Sequence, residues 1–306
     1  MTAAGTRSGP MRFGLLSPFT PDTVGDPVYL RAFAQAIEAG GAEPYLPVAH
    51  TLVAEDYEPR YPYSDDGHMP GGGIALMPDP LQVLGFVGAH TSRMRLGTSV
   101  VVAPQHPAVV LAKAVATLDV LSGGRVELGV GSGWQIEEYR AVGVPYEERG
   151  RRLDETITAM RACWGPNPAS HDGTHISFAP SRVDPKPVQP GGVPVVIGGS
   201  SAVAARRAGR LGDGWFPYVV SPDDVAAGID TIRASAEAAG RDPASIEITV
   251  WPGSWNFLRG TEPELLAEYA AVGVDRIVCS AAEIGSTDID AAGSFVERMV
   301  ALVESL

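Results

Sequence analysis

Short apolar runs alternate with stretches in which apolar residues recur every three or four positions, from Arg12 to the end of the chain. The runs predict strands at 12–18, 43–48, 94–102, 125–131, 193–198, 214–219, 246–251 and 276–280. The periodic stretches between them predict helices. In 147–164, Leu153, Ile157, Met160 and Trp164 lie on one stripe of a helix. In 27–40, Leu30, Phe33 and Ile37 do the same before Gly40-Gly41 ends the element. In 288–306, Phe295, Met299 and Leu302 share a face. Strands that each lead into a helix predict an α/β fold, a (β/α)₈ TIM barrel, with a doubly wound sheet as its rival.

Two segments break the rhythm. Residues 51–80 include EPRYPYSDDGHMPGGG and have no helical period; residues 165–192 carry six prolines. Both are expected to be insertion loops over the C-terminal face of the strands, where barrel sites are built; a passive surface loop is the plainer reading.

The chain has 306 residues, of which 45% are hydrophobic and 19% charged, enough to bury a large core. Nothing in the composition divides it, so residues 11–306 read as a single domain after a loose tail at 1–10. A net charge of -13 argues against nucleic acid or an anionic membrane as partner. No apolar run is long enough to span a membrane and residues 1–10 have no apolar signal core, which makes the cytoplasm the default location. Cys163 and Cys279 fit no disulfide framework, and no histidine pair has metal-ligand spacing, so no metal is expected.

Candidate chemistry gathers at the strand ends. Gly129-Val130-Gly131-Ser132-Gly133-Trp134 ends a strand in a turn whose glycines allow close approach of a ring or phosphate, or simply a tight turn. Gly198-Gly199-Ser200-Ser201 bares the backbone in front of a helix, where amide groups and the helix dipole favour a phosphate; the serines also suit N-capping. His50 ends the second strand and His106 follows the third, each a candidate to touch a ring or substrate or a satisfied structural histidine. Trp215, Phe216, Tyr218, Trp251 and Trp255 lie near strand ends, available for a pocket or for the core.

Together, RLGTSVVVAPQHPAVVLAKAVATLDVLSGGRVELGVGSGWQIEEYRAVGVPYEERGRRLDE and IGGSSAVAARRAGRLGDGWFP resemble the bacterial-luciferase-like flavin oxidoreductase superfamily, with most likeness to its coenzyme F-420-dependent branch. The resemblance covers nearly the whole chain from Met11 and implies a (β/α)₈ barrel with a flavin-type ring at the C-terminal ends of the strands. It implies a bulge with a non-prolyl cis peptide at Ser99–Val100 behind that ring. It further implies cofactor contacts from Gly131, Ser132, Trp134, Tyr139, Gly198, Gly199, Ser200 and Ser201, with Tyr139 reaching the phosphate or packing on the next helix.

Two departures from the family pattern stand out. An acidic residue commonly precedes the histidine at position 50, and here it is Ala49. The glutamate acid of the branch's sugar-phosphate dehydrogenases is replaced by Trp134, which cannot donate a proton at neutral pH. A proton donor must then come from elsewhere, with Tyr61, Tyr63, Asp65 and Asp66 as conjectural sources. The resemblance implies F-420-dependent hydride transfer to or from a small organic substrate, with His50 as the candidate catalytic residue. The alternatives are an FMN-dependent two-component monooxygenase fed by a flavin reductase, and a non-catalytic barrel that binds flavin or a metabolite. It also implies a homodimer, for which the Ala/Val-rich stretch 108–121 is a candidate interface.

Overall fold

The computed structural model describes residues 9–69 and 75–306; part of the tail expected at 1–10 and Pro70–Ile74 of the first insertion lie outside the described residues. The elements run in order as β1 (Arg12–Leu16), α1 (Pro27–Ala39), β2 (Tyr45–Leu46), α2 (Pro80–His90), β3 (Leu96–Gly97), β4 (Val101–Val102), α3 (Ala108–Ser122), β5 (Val126–Gly131), α4 (Ile136–Ala141), α5 (Arg149–Trp164), β6 (Ala169–Asp172), β7 (Ser177–Ser181), β8 (Val195–Gly198), α6 (Ala202–Leu211), β9 (Gly214–Phe216), α7 (Pro222–Ala238), β10 (Glu247–Val250), α8 (Pro252–Trp255), α9 (Pro263–Ala271), β11 (Arg276–Ser280) and α10 (Ile289–Glu304). All the ladders except that of β6 with β7 are parallel, in the order β3-β2-β1-β11-β10-β9-β8-β5-β4, and β3 also pairs with β5. That last pairing closes the sheet. β3 and β4 are two pieces of one barrel strand, so this is a closed eight-stranded parallel barrel, the TIM barrel expected from the pattern.

Local chemistry sets the helix starts. Asp26, Asp79, Ser201, Ser221 and Asp288 each stand before a helix and accept a backbone N–H of its first turn. All five helices belong to βα units of the barrel, and α6 starts directly under the Gly-Gly-Ser-Ser turn.

The barrel interior is layered. At the bottom, Arg276 bridges Glu127 (Nη1 to Oε1, 2.7 Å) and Glu247 (Nη2 to Oε1, 2.5 Å) at 1% exposure; Arg95 and Arg12 join the same carboxylates. Above this ionic plug come Leu16, Leu46, Val196, Phe216 and Val278, with Trp251 against them. The outer core lies between strands and helices.

Residues 165–192 depart from expectation. They form a hairpin, β6 with β7, and they sit between α5 and β8. A helix-to-strand connection returns the chain to the N-terminal end of the strands, so this insertion cannot cover the mouth. Instead Glu155 of α5 accepts the N–H groups of His175 and Ile176, and Asp119 of α3 accepts those of Val188 and Gln189, which straps the segment across the outside of the barrel. Residues 51–69 follow β2 and do lie over the mouth.

Candidate functional site

The split of the third barrel strand builds the floor of the site. Gly97 pairs with Glu127, and Val101 with Val130, so four steps on one strand face three on the other: a bulge of one residue at Thr98–Val100. The Ser99–Val100 peptide is cis, as the resemblance implied. Glycines make room for this bulge. A Cβ at Gly129 would lie 1.8 Å from the Thr98 carbonyl oxygen, and one at Gly131 or Gly198 would lie 2.8 Å from the Val100 side chain. The Gly-x-Gly-x-Gly turn therefore has its first reason inside the protein: it accommodates a neighbouring strand. Only Gly133 of this turn has positive φ (+64°).

Ser200 and Ser201 have been given work by the fold. Ser201 Oγ caps α6 by accepting the Ala204 N–H (3.2 Å); Ser200 Oγ donates to the Tyr218 carbonyl and accepts the Tyr218 N–H (2.9 Å). The Ser200 hydroxyl is thus spent inside the protein, whereas Ser201 accepts only and keeps its proton to donate. It is joined by the N-terminus of α6 beneath Gly199, whose φ of +111° suits glycine alone. The Tyr63 hydroxyl lies beside Gly199 and Ser200. The residues present thus fit a phosphorylated ring cofactor: amide donors at a helix N-terminus, and a glycine-bared bulge for the ring.

Tyr139 is fully buried, donates its hydroxyl to the Ser132 carbonyl (2.6 Å) and meets the Tyr146 ring edge-on; burial raises its pKa. It braces the turn after β5. Arg207 and Arg210 of α6 both pair with Asp154 of α5, so they lock two helices together. Of the aromatics expected at strand ends, Trp215 belongs to the core and donates Nε1 to the Gly199 carbonyl (2.9 Å). Phe216 lies in the barrel interior and Trp255 is exposed on the surface.

The mouth is walled by aromatic rings in continuous contact. Tyr57, Tyr61 and His50 surround Trp134 at centroid distances of 5.1, 5.2 and 5.9 Å. Tyr61 meets Tyr63, Tyr63 meets Tyr218, and Tyr218 meets Trp251. Tyr61 donates to the Tyr218 hydroxyl, and burial raises the pKa of both phenols as well as that of Tyr63. These phenols stay neutral across the physiological range, as hydrogen-bond donors rather than as ready acids. Asp65 and Asp66 are exposed on the outside of the same loop and do not reach the mouth.

The acid missing beside His50 comes from a distant part of the chain. Glu138 of α4, at 0% exposure, places Oε2 3.4 Å from His50 Nδ1 and accepts the Thr51 N–H on Oε1 (2.6 Å). Burial alone would raise the Glu138 pKa, but the contacts with His50, Gln105 and Thr51 outweigh it and the pKa is lowered. His106 is half-buried nearby, and loss of solvent lowers its pKa. Sequence reading missed Glu138 because 88 residues separate it from His50; the only local signal was an acidic pair on a short helix after the glycine turn. Among the described residues no group of three His, Cys, Asp or Glu side chains is placed to hold a metal ion.

Comparison with known proteins completes the picture. The model of the luciferase-like monooxygenase family matches residues 11–287. The chain belongs to this family. An uncharacterised protein of Mycobacterium tuberculosis is 34% identical to this family member over 95% of the chain and 98% of that protein. An F420-dependent hydroxymycolic acid dehydrogenase of the same organism is 32% identical over 78% of the chain and 62% of its own length. An FMNH(2)-dependent dimethylsulfone monooxygenase of Pseudomonas putida is 34% identical over 60% of the chain and 50% of its length. The fold superposes on an F420-dependent secondary alcohol dehydrogenase (TM-score 0.74, 16% identity, 96% of this chain and 99% of that one). It also superposes on the F420-dependent tetrahydromethanopterin reductase of Methanopyrus kandleri (TM-score 0.71, 15% identity, 96% and 99%). The chain is therefore a luciferase-like oxidoreductase or monooxygenase by family, with relatives that use either cofactor.

Proposed function

We propose that this luciferase-like barrel is an F-420-dependent oxidoreductase that moves a hydride to or from a small uncharged organic substrate. The observation that carries the reading is the site itself: an apolar bulge with glycine space at Thr98–Val100, a helix N-terminus at Gly199–Ser201, and a mouth walled by neutral aromatic rings around His50. When bound, the deazaflavin would supply the hydride chemistry. The protein's part is to hold and shield. Val100 would back the ring, with Ser99 beside it; Gly131, Ser132, Trp134 and Tyr139 shape the turn along one edge; Gly198, Gly199, Ser200 and Ser201 offer amides to a phosphate. His50, 13% exposed at its side chain and oriented by Glu138, is the group available to hold or move a proton at Nε2. Trp134 and the loop tyrosines exclude water from it. The substrate would be uncharged, because among the described residues no Lys or Arg joins this ring of aromatics.

The branch is favoured over FMN by the motif resemblance and by the F420-dependent dehydrogenase relative, which matches more of the chain than the FMNH(2)-dependent one. The relative that uses FMNH(2) supports the second reading, a monooxygenase supplied by a flavin reductase. A fluorescence titration of the purified protein with F-420 and with FMN in parallel separates them. Saturable binding of the deazaflavin alone is expected. Preference for FMN overturns the first reading in favour of the second, and binding of neither favours a barrel without redox function.

A homodimer in the cytoplasm is proposed on family likeness. α3 buries Leu111, Ala112 and Val115 against the barrel and leaves Val110 and Leu121 exposed on its outer face. No helix among the described residues is long and apolar enough to cross a membrane.

A further inference from the structure

We propose that Glu138 is the positioning residue of His50, supplying from α4 the carboxylate that position 49 lacks and directing Nε2 of the imidazole toward the barrel mouth. This rests on the reading of His50 as the proton-handling group of the site.

Three observations carry it. Glu138 is completely buried, and a buried carboxylate needs a charged or strongly donating partner. Among the described residues the one titratable side chain paired with it is His50; no Lys or Arg side chain reaches it. The geometry also divides its two oxygens. Oε1 accepts the Thr51 N–H, the residue next to His50, and Oε2 faces His50 Nδ1. The carboxylate therefore grips the backbone just after the histidine and the ring itself, which fixes both position and rotation. With Nδ1 donating to Glu138, the other ring nitrogen is the one left for chemistry.

Neighbouring side chains of α4 and its leading turn complete the hold. Glu137 accepts the Glu58 N–H (3.3 Å). The Gln135 amide donates to the Leu52 carbonyl (3.0 Å) and accepts the Ala54 N–H (3.1 Å). The loop that carries Tyr57 and Tyr61 to the mouth is thus pinned by the same segment that orients His50. The other polar and titratable groups around Glu138 are Gln105, which holds the Thr51 hydroxyl (3.2 Å), and His106, itself facing Asp79.

A role limited to anchoring the loop predicts a different outcome from a role in orienting the ring. The test uses the full-length protein without cofactor, so it stands or falls independently of the F-420 reading. In ¹⁵N-histidine NMR, the wild type is expected to show His50 with its proton on Nδ1. Glu138→Gln keeps the size and an acceptor for Thr51 but removes the charge. It is expected to move the His50 ring-nitrogen shifts toward the Nε2–H tautomer or a mixture. If Glu138→Gln moves the Thr51 amide and leaves the His50 ring unchanged, Glu138 only anchors the loop and the proposal fails.

Thermal unfolding gives a second, independent reading. His50→Leu leaves the buried carboxylate without its ring donor and should lower Tm by on the order of 5 °C. Adding Glu138→Gln to that variant should recover part of the loss. If the two changes simply add, the groups are not coupled and the proposal is overturned.

Discussion

Replacing Gly129 by alanine tests the central structural claim, that the glycine turn exists first to accommodate the bulge of the neighbouring strand. The added Cβ would stand 1.8 Å from the Thr98 carbonyl oxygen and 3.2 Å from a Val100 methyl. Relief to the 3.0 Å that real Cβ contacts respect needs a shift of about 1.2 Å. The obstacle is backbone, and that backbone is tied down. Ladder pairs hold it on both sides of the bulge, and Thr98 Oγ1 donates to the Gly129 carbonyl at 2.7 Å. Overpacking with little room to yield costs about 3 kcal/mol, the upper end of the usual range. An unfolding entropy of roughly 2.1 cal/mol/K per residue makes each kcal/mol worth about 1.6 °C in a chain of 306 residues, so Tm should fall by about 5 °C. Gly85→Ala is the control. Gly85 lies within α2, a Cβ there meets nothing within 4 Å, and the change should raise Tm by about 1 °C. Both are read by calorimetry or circular dichroism. A Gly129→Ala protein that melts within 1 °C of wild type would mean that the Thr98 carbonyl does not sit against β5, and the account of the glycine turn would be wrong.

Arg276→Met removes the cation that bridges Glu127 and Glu247 in the barrel floor; leaving those carboxylates underpaired should cost about 3–5 kcal/mol, read as a Tm lower by roughly 5–8 °C. Glu283, whose Oε2 accepts the Trp251 Nε1–H (2.7 Å) and the Ser280 N–H (2.6 Å), has its pKa raised because burial outweighs those bonds. A raised carboxyl contributes stability at low pH that is lost as pH rises through its folded pKa. Glu283→Gln should therefore gain in Tm relative to wild type between pH 4 and pH 8, and a gap that does not change with pH would contradict this. Val219 holds a φ of +53° in the loop after β9, a conformation that a β-branched residue adopts at a cost of about 1–2 kcal/mol; Val219→Gly should raise Tm by about 1 °C after the extra chain entropy of glycine is set against that relief.

The eight strands of the barrel were legible because each needed only a local apolar run, and the helices because each needed only a period of three to four. Phe295 and Met299, or Leu153 and Ile157, are buried on the faces that spacing assigned to them. The second insertion was misplaced because proline-rich composition says that a segment is irregular but not which end of a strand it meets. Its position after α5 put it on the outside of the barrel.

The candidate site divides along the same line. His50, the glycine turns and the serines before α6 could be picked out by residue type and by place at a strand end. That both serine hydroxyls are engaged by the protein itself depended on Tyr218 and Ala204 arriving beside them. Glu138 illustrates the limit most clearly. Nothing within a few residues of His50 replaces the acid absent at Ala49, and the replacement comes from the segment after β5, two strands away in the closed sheet. The chain alone determined the alternation of strand and helix, hence the barrel, because those preferences act within about ten residues. Only the tertiary structure decided which carboxylate meets which histidine, and which glycine yields to which strand, because closing a barrel joins side chains that chain distance does not relate.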